Sequence, residues 1–109
     1  MKPKPIHTKI IDSRTINDIV IIQENPDKYP RGKSNIYAKD LNGNIKWYAE
    51  LPVTSDIYPN PIQWDLNIKN SNRAKYFNSD KTFVVSSWNC YTVSIDYKTG
   101  FIVEKVFTK

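Results

Sequence analysis

One histidine, His7, and one cysteine, Cys90, are the only side chains of this 109-residue chain that offer an imidazole base or a thiolate nucleophile. Nucleophilic catalysis of the Ser-His-Asp or Cys-His kind needs that base hydrogen-bonded to its nucleophile. His7 stands in the Pro- and Lys-rich opening MKPKPIHTK, where an edge position is the simpler reading. Cys90 falls in a strand pattern, where a small buried thiol is ordinary. The pair also excludes the usual zinc sites, because four N or S ligands cannot be assembled from them. Eleven acids remain, but the carboxylate pair of a glycosidase is defined by separation in space, and nothing selects any two of them. The run DLNGN supplies too few oxygens for a calcium loop. Three isolated glycines, Gly32, Gly43 and Gly100, form neither a P-loop nor a dinucleotide fingerprint. Residue chemistry therefore points away from an enzyme and asks for no metal and no cofactor.

The elements that would carry any site announce themselves as hairpins. Residues 36–47, IYAKDLNGNIKW, and residues 92–103, TVSIDYKTGFIV, share one plan. Each is an apolar strand, an Asp (Asp40, Asp96), a short polar segment with Gly (Gly43, Gly100), and a second apolar strand. An Asp at that position accepts hydrogen bonds from turn N–H groups, and Gly supplies the positive φ a tight turn requires. Further strands are expected at Ile6 to Asp12, Asp18 to Glu24, Ser34 to Asp40, Asn44 to Leu51, Gln63 to Lys69, Thr82 to Ser87, Cys90 to Asp96 and Phe101 to Phe107. Between Asn44 and Leu51 the alternation of Ile45, Trp47, Ala49 and Leu51 with polar neighbours sends Trp47 to the core. Pro26, Pro30 and Gly32 make residues 25–33 a loop, and the prolines between Pro52 and Pro61 do the same for that stretch. Ala74 to Phe77 reads as a helical turn or as loop.

Ile, Val, Thr, Tyr, Phe and Trp dominate the apolar positions, and no dozen-residue window keeps a helical stripe. The chain is thus expected to be all-β, with seven or eight antiparallel strands in meander hairpins. These would pack as two sheets or as a small propeller-blade-like arrangement. At this length residues 1–109 form a single domain, able to bury roughly 60–70% of the unfolded surface. The longest apolar runs are strand-sized, far short of the roughly 20 residues that span a bilayer as a helix. The opening lacks an apolar core and cleavage site, so the chain is expected to remain in the cytoplasm, in keeping with its single Cys.

Aromatic residues are the remaining candidates for contact. Trp64 follows a Pro-rich loop, Trp88 lies at a turn, and Tyr29, Tyr58, Tyr76 and Tyr97 fall in or near loops. Exposed rings anchor protein interfaces and also serve as stacking platforms for single-stranded nucleic acid, although plain packing accounts for each of them. The net charge of +5 is interspersed along the chain, the pattern of a solvated surface, with an acidic partner as the rival reading.

The twin motif (Asp40, Asn42, Gly43, Trp47; Asp96, Thr99, Gly100) resembles the blade repeat of PQQ-type β-propellers, although two repeats cannot close a propeller. Together with the C-terminal run SWNCYTVSIDYKTGFIVEKVFTK, it is similar to small single-domain bacterial proteins that include immunity proteins of contact-dependent inhibition and related polymorphic toxin systems. The resemblance covers residues 18–51 and 81–109. It implies a protein that binds the C-terminal toxic domain of a cognate effector stoichiometrically and neutralises it. Residues 52–80 lie outside the resemblance and would hold the partner-specific positions: Asp56, Tyr58, Trp64, Asp65, Tyr76 and Asp80, with Trp88 beside them. A basic inhibitor implies an acidic or mixed toxin surface, or a local acidic patch around Asp56, Asp65 and Asp80. Rival readings are a nucleic-acid-binding β module, which scattered lysines and few arginines disfavour, and a small-ligand-binding β protein.

Overall fold

The computed structural model describes residues 4–64 and 81–107. Seven strands lie within them: β1 (Ile10–Ile16), β2 (Ile19–Glu24), β3 (Ile36–Asp40), β4 (Ile45–Tyr48), β5 (Thr82–Ser86), β6 (Tyr91–Asp96) and β7 (Ile102–Phe107). They form two antiparallel meanders, β1-β2-β3-β4 and β5-β6-β7, the all-β two-sheet architecture expected from the turn spacing. Among the described residues there is no helix, and none long and apolar enough to cross a membrane.

Side chains two apart along a strand share a face. In the four-stranded sheet Ile21 lies opposite Ala38, which lies opposite Trp47, so these three form a row across the inner face. The three-stranded sheet answers with Phe83, Val85, Val93 and Ile95, and the two faces close one core that also takes in Ile36, Ala49, Tyr58 and Ile62. Phe83 is its hub. Its ring lies 6.3 Å from Trp47, 5.5 Å from Trp64 and 5.7 Å from Tyr97. Each such side chain, fully buried, contributes roughly 1.5–3 kcal/mol.

The twin turns form as the sequence implies. Asp40 Oδ1 accepts the N–H groups of Asn42 and Asn44 at 2.9 Å each, while Asp96 Oδ1 accepts those of Lys98 at 2.7 Å and Thr99 at 3.3 Å. Gly43 and Gly100 take φ of +89° and +74°. The second turn does more than reverse the chain: a Cβ on Gly100 would stand 2.6 Å from the Trp47 ring, so the glycine lies flat on the indole. Trp47 Nε1 donates to the Tyr97 carbonyl at 3.1 Å, and Glu50 N donates to the Gly100 carbonyl at 2.8 Å. One hairpin's turn thus docks on the strand of the other and joins the sheets.

Two expectations need correction. β1 runs from Ile10 to Ile16, not Ile6 to Asp12, because the N–H groups of Ile6, His7 and Thr8 turn to the Glu24 carboxylate instead of a neighbouring strand. The reversal accordingly moves to Asn17, which adopts φ +54°. Ile45 does not share the face of Trp47: a bulge sets Ile45 opposite Lys39 while Trp47 stays opposite Ala38, and the extra residue flips Ile45 outward. Of the strand expected from Gln63 to Lys69, Gln63 makes an antiparallel bridge with Val84; residues 65–69 and the 74–77 segment lie outside the described residues.

Candidate functional site

The two ends of the molecule differ. At one end lie the tight turns, 40–43 and 97–100, the second of which joins the sheets. At the other lie the long loops: 25–35 between β2 and β3, the chain after β4, and the turn from β5 to β6. Asn35 organises this loop end. Its Nδ2 donates to the carbonyls of Glu24 and Tyr58, at 2.8 Å each, and its Oδ1 accepts the Tyr58 N–H at 2.9 Å. Gln23 adds donations to the carbonyls of Tyr58 at 3.0 Å and Asn60 at 2.9 Å. The Pro-rich loop is therefore fixed by buried amides of the four-stranded sheet.

That loop in turn holds the β5–β6 turn. Ile57 accepts the backbone N–H of Trp88 at 2.9 Å, and Asp56 Oδ1 accepts those of Ile57 at 2.8 Å and Asn89 at 3.2 Å. Within the turn, Ser87 N donates to the Tyr91 carbonyl at 2.7 Å and Cys90 N to the Ser87 carbonyl at 3.2 Å. Cys90 adopts φ +69°, a left-handed conformation that costs a non-glycine residue about 1–2 kcal/mol. On this braced backbone the Trp88 side chain is 72% exposed. It borders an open groove of about 620 Å³ lined also by Pro59, Asn60, Pro61, Ser86 and Cys90.

Of the expected contact residues that lie among the described residues, only Trp88 is presented in full. Tyr58 and Asp56 are corrections, since both are buried, at 0% and 2% exposure. Tyr58 fills the core, and its hydroxyl donates to the Glu50 carbonyl. Burial, with the Asp56 and Glu50 carboxylates nearby, pushes its phenol well above the ordinary value and keeps it neutral. Asp56 works on backbone N–H groups, and its Oδ2 is buried without a partner. Trp64 is half-buried and fully engaged: its ring meets Phe83, its N–H reaches Asp12 Oδ2 at 2.9 Å, and the Arg14 guanidinium lies 5.2 Å from its ring centre. Asp65, Tyr76 and Asp80 lie outside the described residues.

Sequence reasoning missed a buried polar cluster on the outer face of the four-stranded sheet. Glu24 is fully buried there. Its carboxylate accepts the N–H groups of Ile6 and Thr8 at 2.7 Å and His7 at 3.0 Å, and the Tyr37 hydroxyl also donates to it. Burial alone would raise its pKa, but these donors outweigh that and hold the carboxyl below its usual range. Tyr29 packs edge-on to His7 at 5.1 Å, and burial followed by the Glu24 and Tyr48 charges pushes its phenol up to about 12. A carboxylate saturated by donors is a poor base, and its role is to bind residues 6–8 across the sheet. Its one sequence signal was a Glu ending an apolar strand, which reads as a solvent-facing terminus. Among the described residues no three His, Cys, Asp or Glu side chains gather as metal ligands.

A second exposed apolar strip runs along β7, where Val103 and Phe107 face solvent. Its first N–H, that of Ile102, is occupied by Glu50 Oε1 at 2.9 Å.

Comparison with known proteins finds one family, described as a domain of unknown function (DUF7957), matching residues 5–107, a span that contains all seven strands. No curated protein and no solved structure matches the chain.

Proposed function

The chain belongs to the DUF7957 family, and we propose that it is a stoichiometric binding protein of the immunity kind, which acts in the cytoplasm by covering a cognate toxin domain with its loop end. One observation carries the reading: Trp88, 72% exposed, stands on a backbone fixed through Ile57 and Asp56. Tryptophan is among the residues most enriched at interface hot spots. A ring already fixed at its backbone loses little freedom on binding, so more of its buried area appears as affinity. The neighbouring groove, walled by two prolines, gives a partner side chain a place beside it. The likeness of residues 18–51 and 81–109 to the immunity group supplies the kind of partner.

Co-expression with the product of the adjacent upstream gene tests the proposal. The two chains are expected to co-purify, and this one to restore growth. Trp88→Ala should weaken the complex by about 2 kcal/mol or more, roughly 30-fold, with folding unchanged. Val103→Asp on β7 should leave it intact. An upstream product that is neither toxic nor bound overturns the immunity reading. A complex lost in Val103→Asp and retained in Trp88→Ala moves the interface to β7.

A further inference from the structure

The net charge of +5 is interspersed in the sequence, but among the described residues one face collects an excess of cations. Residues 4–9 and 24–39 carry Lys4, Lys9, Lys28, Arg31, Lys33 and Lys39 against Glu24 and Asp27, six cations less two acids, or +4. The other ten cations and nine acids of the chain leave +1. These two segments form one face. Asn25 N donates to the Lys9 carbonyl at 2.7 Å, Lys39 Nζ reaches the Lys4 carbonyl at 3.3 Å, and Glu24 binds residues 6–8 between those points. Lys4, Lys9, Lys28, Arg31 and Lys33 are all exposed, whereas Glu24 is enclosed by its own donors.

The cationic loop also shares its end of the fold with Trp88. Asn35, which closes that loop, holds Tyr58, and the adjoining Ile57 holds the Trp88 N–H. On the flank of the loop a groove of about 390 Å³ runs between Gly32, Lys33 and Ser34 on one side and Tyr48, Ala49 and Leu51 on the other.

We infer that this face is the electrostatic half of the binding surface and takes an acidic polypeptide segment of the partner, rich in Asp and Glu, lying along loop 25–35 beside Trp88. The inference rests on the protein-binding reading. Single-stranded nucleic acid fits the face less well, because a stacking platform needs rings turned outward between its cations. Here Tyr29 and Tyr37, the rings set among the cations, are buried, and the exposed rings, Tyr48 and Trp88, stand at the edges of the face instead of between its cations. Charges at the rim of such a surface act chiefly on the encounter rate and its salt dependence.

A titration that needs no cognate partner tests the inference separately from the co-purification. The probes are a fluorescent peptide of about a dozen Asp and Glu residues and a dT oligomer of similar charge, followed by anisotropy at low salt. Arg31→Glu/Lys33→Glu should weaken peptide binding about tenfold. Lys46→Glu/Lys98→Glu, the same change in net charge at the opposite end, should weaken it less than about twofold. Equal weakening by the two double variants would reduce the effect to net charge and overturn the inference. Tighter binding of the dT oligomer than of the peptide, lost in Arg31→Glu/Lys33→Glu, would assign the face to nucleic acid instead.

Discussion

Gly100→Ala perturbs the contact that joins the two sheets, and its twin turn supplies an internal control. Gly100 and Gly43 both have left-handed backbones, at φ +74° and +89°, so an alanine at either incurs about 1–2 kcal/mol of conformational cost. They differ in surroundings. No atom lies within 4 Å of a Cβ built on Gly43, whereas one built on Gly100 meets Trp47 Cδ2 and Cε3 at 2.6 Å and Cγ at 3.0 Å. Trp47 has little room to retreat. Its N–H is bonded to the Tyr97 carbonyl, its ring stacks on Phe83 with an interplanar angle of 15°, and its backbone is paired with Ala38. Forcing a methyl into such packing costs about 1–3 kcal/mol, which brings Gly100→Ala to about 2–5 kcal/mol in all.

Urea unfolding of the parent and the two variants reads the difference as a shift of midpoint at unchanged slope. In a domain of this size a kilocalorie corresponds to about 5 °C in Tm, so Gly43→Ala should lower Tm by about 5–10 °C and Gly100→Ala by about 10–25 °C. Equal losses in the two variants would refute the docking argument, since they would mean that only the turn conformation matters and that the Trp47 contact relaxes freely.

Two further predictions concern side chains assigned to the fold. Glu24→Gln replaces an acceptor of several N–H groups with an amide that must turn its NH2 toward some of them, and should cost about 2–4 kcal/mol. Because the folded carboxyl titrates below its usual range, its contribution is present above the ordinary carboxylate pKa and is lost as pH falls through the folded value. Parent stability, measured as urea midpoint, should therefore decline below about pH 4, and the decline should be shallower in Glu24→Gln. Tyr58→Phe removes the hydrogen bond to the Glu50 carbonyl and should cost about 1 kcal/mol, and Trp64→Phe, which loses the bond to Asp12 Oδ2 together with indole packing on Phe83 and the Arg14 contact, should cost more, about 1–3 kcal/mol, both leaving partner affinity unaltered. A folded Trp64→Phe variant with weakened binding would place that ring in the interface.

What could be read from the sequence is what local chemistry decides. The turns at Asp40 and Asp96 follow from an Asp acceptor and a nearby Gly, so both hairpins and the two-sheet plan were accessible from spacing alone. Strand faces were accessible wherever alternation ran unbroken, as at Trp47, and were lost at Ile45, where one bulged residue inverts the pattern. Residues 6–8 misled for a different reason. Ile6 looks like the start of a strand, but its N–H is taken by Glu24, eighteen positions away, and no local rule reports that pairing. The contact residues divide in the same way. Tyr58 sits between prolines in a loop and reads as exposed, yet Asn35 and Gln23 draw that loop inward until the ring fills the core.

The three tryptophans make the argument for a contact surface sharper than composition can. Trp47 and Trp64 each have a ring packed on Phe83 and an indole N–H with an acceptor, so both are accounted for by stability. Trp88 has neither. Its indole N–H makes no hydrogen bond among the described residues, its ring is exposed, and the turn is held by backbone groups that any side chain would offer. Burial of so large a ring would contribute roughly 1.5–3 kcal/mol that the fold does not collect at this position. The same end of the molecule gathers the cations of loop 25–35, whose mutual repulsion also works against folding. An exposed indole and a cluster of like charges are both costs to an isolated domain, and both become gains against an apolar cleft edged with carboxylates. A partner of that description accounts for the two features together, whereas stability accounts for neither.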